Sequence, residues 1–300
     1  MNKKILANIF LLLAVAFWGI SFVSTKICLD VFQPMSLAFY RFLIGSTFLF
    51  LILRYLKENL KFDKSDFIYF LLTGVFGISL YFYFENTGII YLSPSIASII
   101  IGTIPVFIVI IETIFYKEIF TFQKLLSLSL SIIGLILVVD FNLKTIDKND
   151  LYGYIMMFGA VLAFVVFSFA TKPISRKYSN IKLTFYQSIF GTVTLLPFIF
   201  FENINMINFN NNLLIHFLFL SIICSALAYY FYLYAFKELG PSICALYINL
   251  SPVFTIIFEY IIFKNIINKK QIFGAILIIL SVYIINLKAI KTLEKEKGVS

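Results

Sequence analysis

The chain has 300 residues, of which 61% are apolar and only 13% charged, and it carries a formal charge of +9. An ordinary soluble domain is about 45–50% apolar and about 25% charged, so no soluble fold can hide this surface and lipid must be the solvent. The positive balance does not mark a nucleic-acid binder, because Lys and Arg fall in short clusters between apolar stretches and form no single basic surface.

A hydrocarbon core about 30 Å thick takes roughly 20 apolar residues per helical crossing. Apolar runs predict ten such helices, near 5–28, 34–56, 66–85, 93–115, 122–140, 151–171, 181–201, 213–236, 241–263 and 270–288. The first follows Met1-Asn2-Lys3-Lys4 in the manner of a signal peptide, yet it reaches Cys28 with no A-x-A-like cleavage site and reads as an uncleaved helix. In the second, Arg41 lies about two turns inside the end that begins at Pro34, within reach of snorkelling outward. Stretches such as 272–287 do not alternate apolar with polar residues, which argues against an outer-membrane barrel. Cys28, Cys224 and Cys244 show no C-x-x-C spacing and read as packing residues, and His216, the single histidine, as structural.

Loop cations set the orientation. With the N-terminus inside, roughly 17 fall on the cytoplasmic side and about 5 outside, predicting a multi-pass protein of the cytoplasmic membrane with both termini cytoplasmic. The main contributors are Arg54, Lys57, Lys61 and Lys64, then Lys172, Arg176, Lys177 and Lys182. Lys264, Lys269 and Lys270 run against this topology.

The two halves of the chain repeat each other. Lys26, Leu37, Phe39, Tyr40 and Gly45 return 146 positions on as Lys172, Leu183, Phe185, Tyr186 and Gly191. After a one-residue insertion, Pro94-Ser95, Pro105-Val106-Phe107, Glu112 and Lys117 return 147 positions on as Pro241-Ser242, Pro252-Val253-Phe254, Glu259 and Lys264. The predicted fold is therefore an all-α integral membrane protein with ten transmembrane helices in two five-helix repeats, residues 1–146 and 147–300. An odd helix number inverts the second copy, and inverted repeats are a recurrent plan of secondary transporters.

These residues resemble the drug/metabolite transporter superfamily, in particular its EamA-type members. The likeness covers nearly the whole chain. It rests on Trp18-Gly19 and Lys26, Pro34 with Arg41, Pro94-Ser95 and Pro105, then Lys117-Glu118, Gln123 and Gly134. The second half departs from the pattern with Gln187 in place of Arg41, Phe164-Val165 in place of Trp18-Gly19, and Asn265 in place of Glu118. The resemblance implies movement of small organic solutes, often amino acids, commonly outward.

Charged side chains within a span cost roughly 2.5–3.5 kcal/mol at its centre, so each needs a reason. Lys26, Arg41, Glu112, Lys172 and Glu259 are the five that stand out. Ser95, Gly102, Pro105 and Glu112 share one helix face, repeated as Ser242, Asn249, Pro252 and Glu259. Aromatic runs, Tyr81 to Phe84 and Tyr229 to Tyr232, occupy matching places in the repeats. A central substrate-binding cavity is expected between helices 1, 3, 4, 6, 8 and 9, with Trp18, Ser21, Tyr81, Tyr83, Thr103, Ser168, Tyr230 and Asn249 on its wall. The inverted orientation suggests two gating ion pairs, Lys26 with Glu259 near the outer surface and Lys172 with Glu112 near the inner. Separate snorkelling of all four to the headgroups is the plainer reading.

The reading is thus a secondary transporter, an exporter of small-molecule substrate, with membrane lipid as surroundings and no cofactor. A G-x-x-x-x-G-K-[ST] loop is absent and no ATPase subunit is evident. The alternatives are a passive channel or facilitator and a membrane-embedded enzyme. One histidine rules out H-E-x-x-H chemistry, and Asp140 alone cannot supply a two-aspartate protease.

Overall fold

The computed structural model describes residues 3–115, 121–138, 148–202, 209–264 and 269–296. Lys117, Glu118, Asp140 and Asn265 lie outside the described residues. Among the described residues, eight helices are long and apolar enough to cross a membrane: α1 (Lys3–Cys28), α2 (Pro34–Tyr55), α3 (Lys64–Tyr91), α4 (Pro94–Phe115), α6 (Lys148–Thr171), α7 (Asn180–Phe201), α8 (Asn211–Leu239) and α9 (Pro241–Ile262). Two more, α5 (Phe122–Val138) and α10 (Lys269–Glu296), carry shorter apolar stretches and pack against each other. The chain is a helical membrane protein, with these ten helices among the described residues.

Helix starts follow local chemistry. Ser93 accepts the Ile96 amide ahead of Pro94 at α4, Ser179 accepts the Lys182 amide at α7, and Asn210 accepts the Leu213 amide at α8. At α9 the cap is Gly240, whose φ of 85° only glycine adopts without strain, followed by Pro241.

Two kinds of irregularity recur at equivalent places in both repeats. First, α4 is interrupted at Gly102-Thr103 and α9 at Asn249-Leu250, two or three residues ahead of Pro105 and Pro252. Each proline lacks the N–H that would bond the carbonyl four residues back, at Ile101 and Ile248. Second, α3 contains a π-helical stretch at Val75–Leu80 and α8 one at Phe219–Leu227. Such wide turns offset backbone carbonyls from the regular ladder.

Close packing of α2 and α7 on these π stretches also repeats. A Cβ on Gly45 would lie 2.8 Å from the Ser221 carbonyl oxygen of α8, and one on Gly191 would lie 2.5 Å from Ile78 Cβ of α3. Only a hydrogen side chain lets these backbones approach so nearly.

Candidate functional site

A pocket opens in the middle of the bundle where the irregular segments meet. Its walls come from α1 (Val15, Trp18, Ser21, Phe22), α2 (Arg41), α3 (Tyr81, Phe82, Glu85), α4 (Ile101, Ile104), α6 (Phe164), α8 (Tyr229) and α9 (Ile248, Ser251). The residues preceding both helix breaks, Ile101 and Ile248, are among them.

The π stretches hold the aromatic walls in place. The Trp18 indole N–H donates to the Cys224 carbonyl at 3.3 Å, and the Tyr229 hydroxyl donates to the Gly77 carbonyl at 3.3 Å. Residues 77 and 224 are 147 positions apart, so the same backbone feature serves each repeat. Trp18, Tyr229, Tyr232 and Phe164 then form a continuous tilted and edge-on cluster with centroids 5.1–6.5 Å apart.

Two ionisable side chains sit in this apolar setting. Arg41 is 1% exposed; its Nε donates to Ser225 Oγ at 2.9 Å and its guanidinium lies 4.5 Å from the Phe82 ring centroid. A desolvated cation–π contact contributes about 2 kcal/mol and a hydrogen bond from a charged donor about 1.5–3, enough to offset the roughly 2.5–3.5 kcal/mol of intramembrane burial. One nitrogen, Nη1, has no hydrogen-bond partner. Glu85, 5% exposed, accepts the Tyr81 hydroxyl at 2.8 Å. Both side chains line the pocket without forming an ion pair with each other. Both come from the first repeat: the equivalent positions in the second hold Gln187 and Tyr232.

The enclosed space is about 20 Å³, room for about one water molecule. Ordinary ligand pockets begin near roughly 300 Å³, so the walls must part to admit a solute. Larger vestibules flank the centre at opposite ends of the bundle. One of about 420 Å³ is bounded by Lys172, Arg176 and Lys237 to Pro241, and one of about 510 Å³ by Lys26, Asp30 and Tyr91 to Pro94.

Between centre and vestibules lie two reciprocal contacts. Ser95 of α4 donates to Glu259 of α9, and Ser242 of α9 donates to Glu112 of α4. Ser95 and Ser242, like Glu112 and Glu259, are 147 positions apart, so one cross-repeat latch occurs at each end.

Of the eight residues expected on the cavity wall, the structure brings together Trp18, Ser21 and Tyr81. Tyr83 and Tyr230 lie one residue beyond the lining Phe82 and Tyr229, and one helical step of about 100° turns them away. Tyr83 packs near Phe84, and Tyr230 near Phe10 and Phe231. Thr103 and Ser168 bond to their own helices, at the Ile100 and Phe164 carbonyls. Asn249 donates to Ser131 of α5, outside the pocket.

Of the two expected ion pairs, Lys172 and Glu112 stand 3.7 Å apart. Lys26 and Glu259 do not meet. The Lys26 ammonium donates to the carbonyls of Ile89 at 2.6 Å and Ile90 at 2.9 Å, at the C-terminal end of α3, where carbonyls lack helical donors. Arg41 does not snorkel but turns into the bundle. His216 pairs through Nδ1 with Ser24 Oγ at 3.0 Å.

Sequence reading missed Glu85. It ended the third helix at this residue because a charge marked the boundary, whereas α3 runs on to Tyr91. The available signal was the spacing of Tyr81 and Glu85, one turn apart on one face. Among the described residues no group of three or more His, Cys, Asp or Glu is placed to hold a metal ion.

Known proteins share this plan. Two relatives from Archaeoglobus fulgidus, both named as uncharacterized transporters, are 26% identical over 92% of this chain and 97% of their own length, and 29% identical over 96% and 99%. The uncharacterized transporter YyaM of Bacillus subtilis is 25% identical over 89% of this chain and 88% of its length. A solved crystal structure superposes with a TM-score of 0.74 over 94% of this chain and 98% of that one, at 17% identity, which shows a shared fold. The model of the EamA-like transporter family matches twice, at residues 5–140 and 151–287. With each half matched in turn, the chain belongs to the EamA-like transporter family.

Proposed function

We propose that this transporter exports small zwitterionic metabolites, amino acids among them, across the cytoplasmic membrane by alternating access of its two repeats, with both termini cytoplasmic and without an ATPase subunit. The observation that carries the substrate reading is the buried Arg41 guanidinium with a free donor, sharing an aromatic pocket with the Glu85 carboxylate. A guanidinium suits a carboxylate, a carboxylate suits an ammonium, and the rings between them suit an apolar side chain. The paired latches and the narrow centre support a cycle in which each end opens in turn. On this reading Lys26, Glu259, Lys172 and Glu112 act at the gates, and the protein is a transporter without catalytic chemistry.

Trp18 is the chain's single tryptophan and lines the pocket, so its emission reports on occupancy there. The protein in lipid nanodiscs would be titrated with neutral amino acids, their amides and their N-acetyl derivatives. Saturable emission changes are expected for one or more amino acids and for neither class of derivative. Equal responses to an amino acid and its amide would remove Arg41 from substrate recognition. Direction is read separately, from counterflow in proteoliposomes of known orientation.

A further inference from the structure

The two vestibules are built from equivalent segments, yet their charges differ. Lys172 corresponds to Lys26, but Arg176 stands where the other vestibule has Asp30, and Lys237 corresponds in the repeat to Ile90, one residue ahead of the other vestibule's Tyr91. With Glu238 included, the first vestibule has three cations and one carboxylate; the second has Lys26 against Asp30. Lys26 is also engaged by helix-end carbonyls. Arg176 and Lys237 make no hydrogen bond or ion pair among the described residues.

A preference for cations in cytoplasmic loops accounts for basic residues on this face. It does not account for their placement around a cavity of about 420 Å³ between the α6–α7 and α8–α9 turns. Cations lining one cleft concentrate anions there, and unpartnered donors on two different turns are suited to an oxyanion between them.

From this we propose that the vestibule lined by Lys172, Arg176 and Lys237 binds an anionic phosphate or carboxylate group, whether from a free solute or from a lipid headgroup. This goes beyond the transport reading and does not depend on it.

The test uses the full chain in nanodiscs of phosphatidylcholine, titrated calorimetrically with inorganic phosphate. Saturable binding is expected, weakening as ionic strength rises. The variant Arg176→Asp with Lys237→Ile gives these two positions the residues of their equivalents in the first repeat, and phosphate binding should weaken by about tenfold or more. Arg41→Gln should bind phosphate as the wild type does, which separates this site from the central pocket. Repeating the titration with phosphatidylglycerol in the disc identifies the occupant: weakened phosphate binding means that a headgroup competes, and unchanged binding means a free anion. Should the double variant not fold, as judged by Trp18 emission and melting temperature, Arg176→Gln and Lys237→Gln are tested singly. Absence of saturable binding in the wild type, or equal binding by folded vestibule variants, would overturn the proposal.

Discussion

Arg41 and Glu85 occupy one pocket, but their replacement should produce different losses. Arg41→Gln installs the side chain of the equivalent position in the second repeat, preserving hydrogen bonding to Ser225 while removing the cation. Losing a charge-assisted contact of about 1.5–3 kcal/mol should weaken binding of carboxylate-bearing solutes by about 10–100-fold in a Trp18 emission titration. Arg41→Lys should not restore it, because an ammonium cannot donate to Ser225 and a bound carboxylate in the same fork geometry. Glu85→Gln should spare carboxylates that lack an ammonium and weaken those that carry one. If both variants weaken every solute equally, the two residues are structural and not selective.

At the scale of helices, glycine positions and helix breaks decide what can touch. Gly191 lies against Ile78, a buried β-branched side chain on the α3 π stretch that has little freedom to move. Gly191→Ala should therefore destabilise the fold by about 1–3 kcal/mol, read as a lower midpoint in thermal or denaturant unfolding. An unchanged midpoint would mean that α3 and α7 separate freely. This level was partly legible in the sequence. Apolar length gave the helices, and the offsets of 146 and 147 gave the repeat, because lipid imposes span length and duplication preserves spacing. Pro105 and Pro252 pointed to the breaks in α4 and α9. The π stretches carry no comparable signal, since Val75–Leu80 reads as ordinary apolar helix. Residue chemistry favours the tyrosines Tyr83 and Tyr230, whereas Phe82 and Tyr229 line the wall, because the face a helix presents is set by its packing and not by its residue types. Glu85 was lost for a related reason: one charge looks the same at a helix end and inside a bundle.

Across the whole molecule, the repeats grip each other head to tail along α2 and α7. Glu202, just past α7, accepts the Met35 and Ser36 amides at the start of α2, and Glu58, just past α2, accepts the Ser179 hydroxyl at the start of α7. On the Glu58 face the grip is extended by Asp66, which accepts Lys177 Nζ and Tyr178 OH, each at 2.7 Å. The bond to Asp66 holds the Lys177 ammonium above its usual range; burial, then the bond to Asp66, does the same for the Tyr178 phenol. Both groups have raised folded-state values, so their contribution is complete below their ordinary pKa near 10 and is lost as pH rises through the folded values. The Ser65 amide holds Asp63 below the usual carboxylate range, so its contribution is present above about pH 4 and lost as pH falls. The melting difference between wild type and Asp66→Asn should stay constant from roughly pH 5 to 9 and shrink above about pH 10. A difference that persists undiminished in alkali would show that Lys177 and Tyr178 do not hold the two halves together.

The latches make the two ends of the molecule alike in their Ser–Glu contact and unlike in their lysines. Glu112 receives Ser242 and stands 3.7 Å from Lys172, whereas Glu259 receives Ser95 and Lys26 bonds to the end of α3. Charge reversal should therefore behave differently at the two ends. Glu112→Lys places two cations together and should spring the Lys172 end; adding Lys172→Glu recreates a pair there and should close it again. Glu259→Lys combined with Lys26→Glu should show no such recovery, because those side chains share no contact and the exchange also removes a cation from the carbonyls of Ile89 and Ile90. The reporter is a cysteine at Ser21 in the pocket wall, placed in a chain whose buried Cys28, Cys224 and Cys244 are replaced by alanine. Impermeant thiol reagents are applied to each face of sealed vesicles at equal protein content. Glu112→Lys should raise labelling from the Lys172 face alone, the second exchange should return it toward the parent level, and the Lys26–Glu259 exchange should leave labelling from its own face as high as Glu259→Lys does. Recovery at both ends would mean that Lys26 leaves the α3 carbonyls to pair with Glu259 in another state of the cycle. Recovery at neither end would leave the serine contacts alone as the closures between pocket and vestibules.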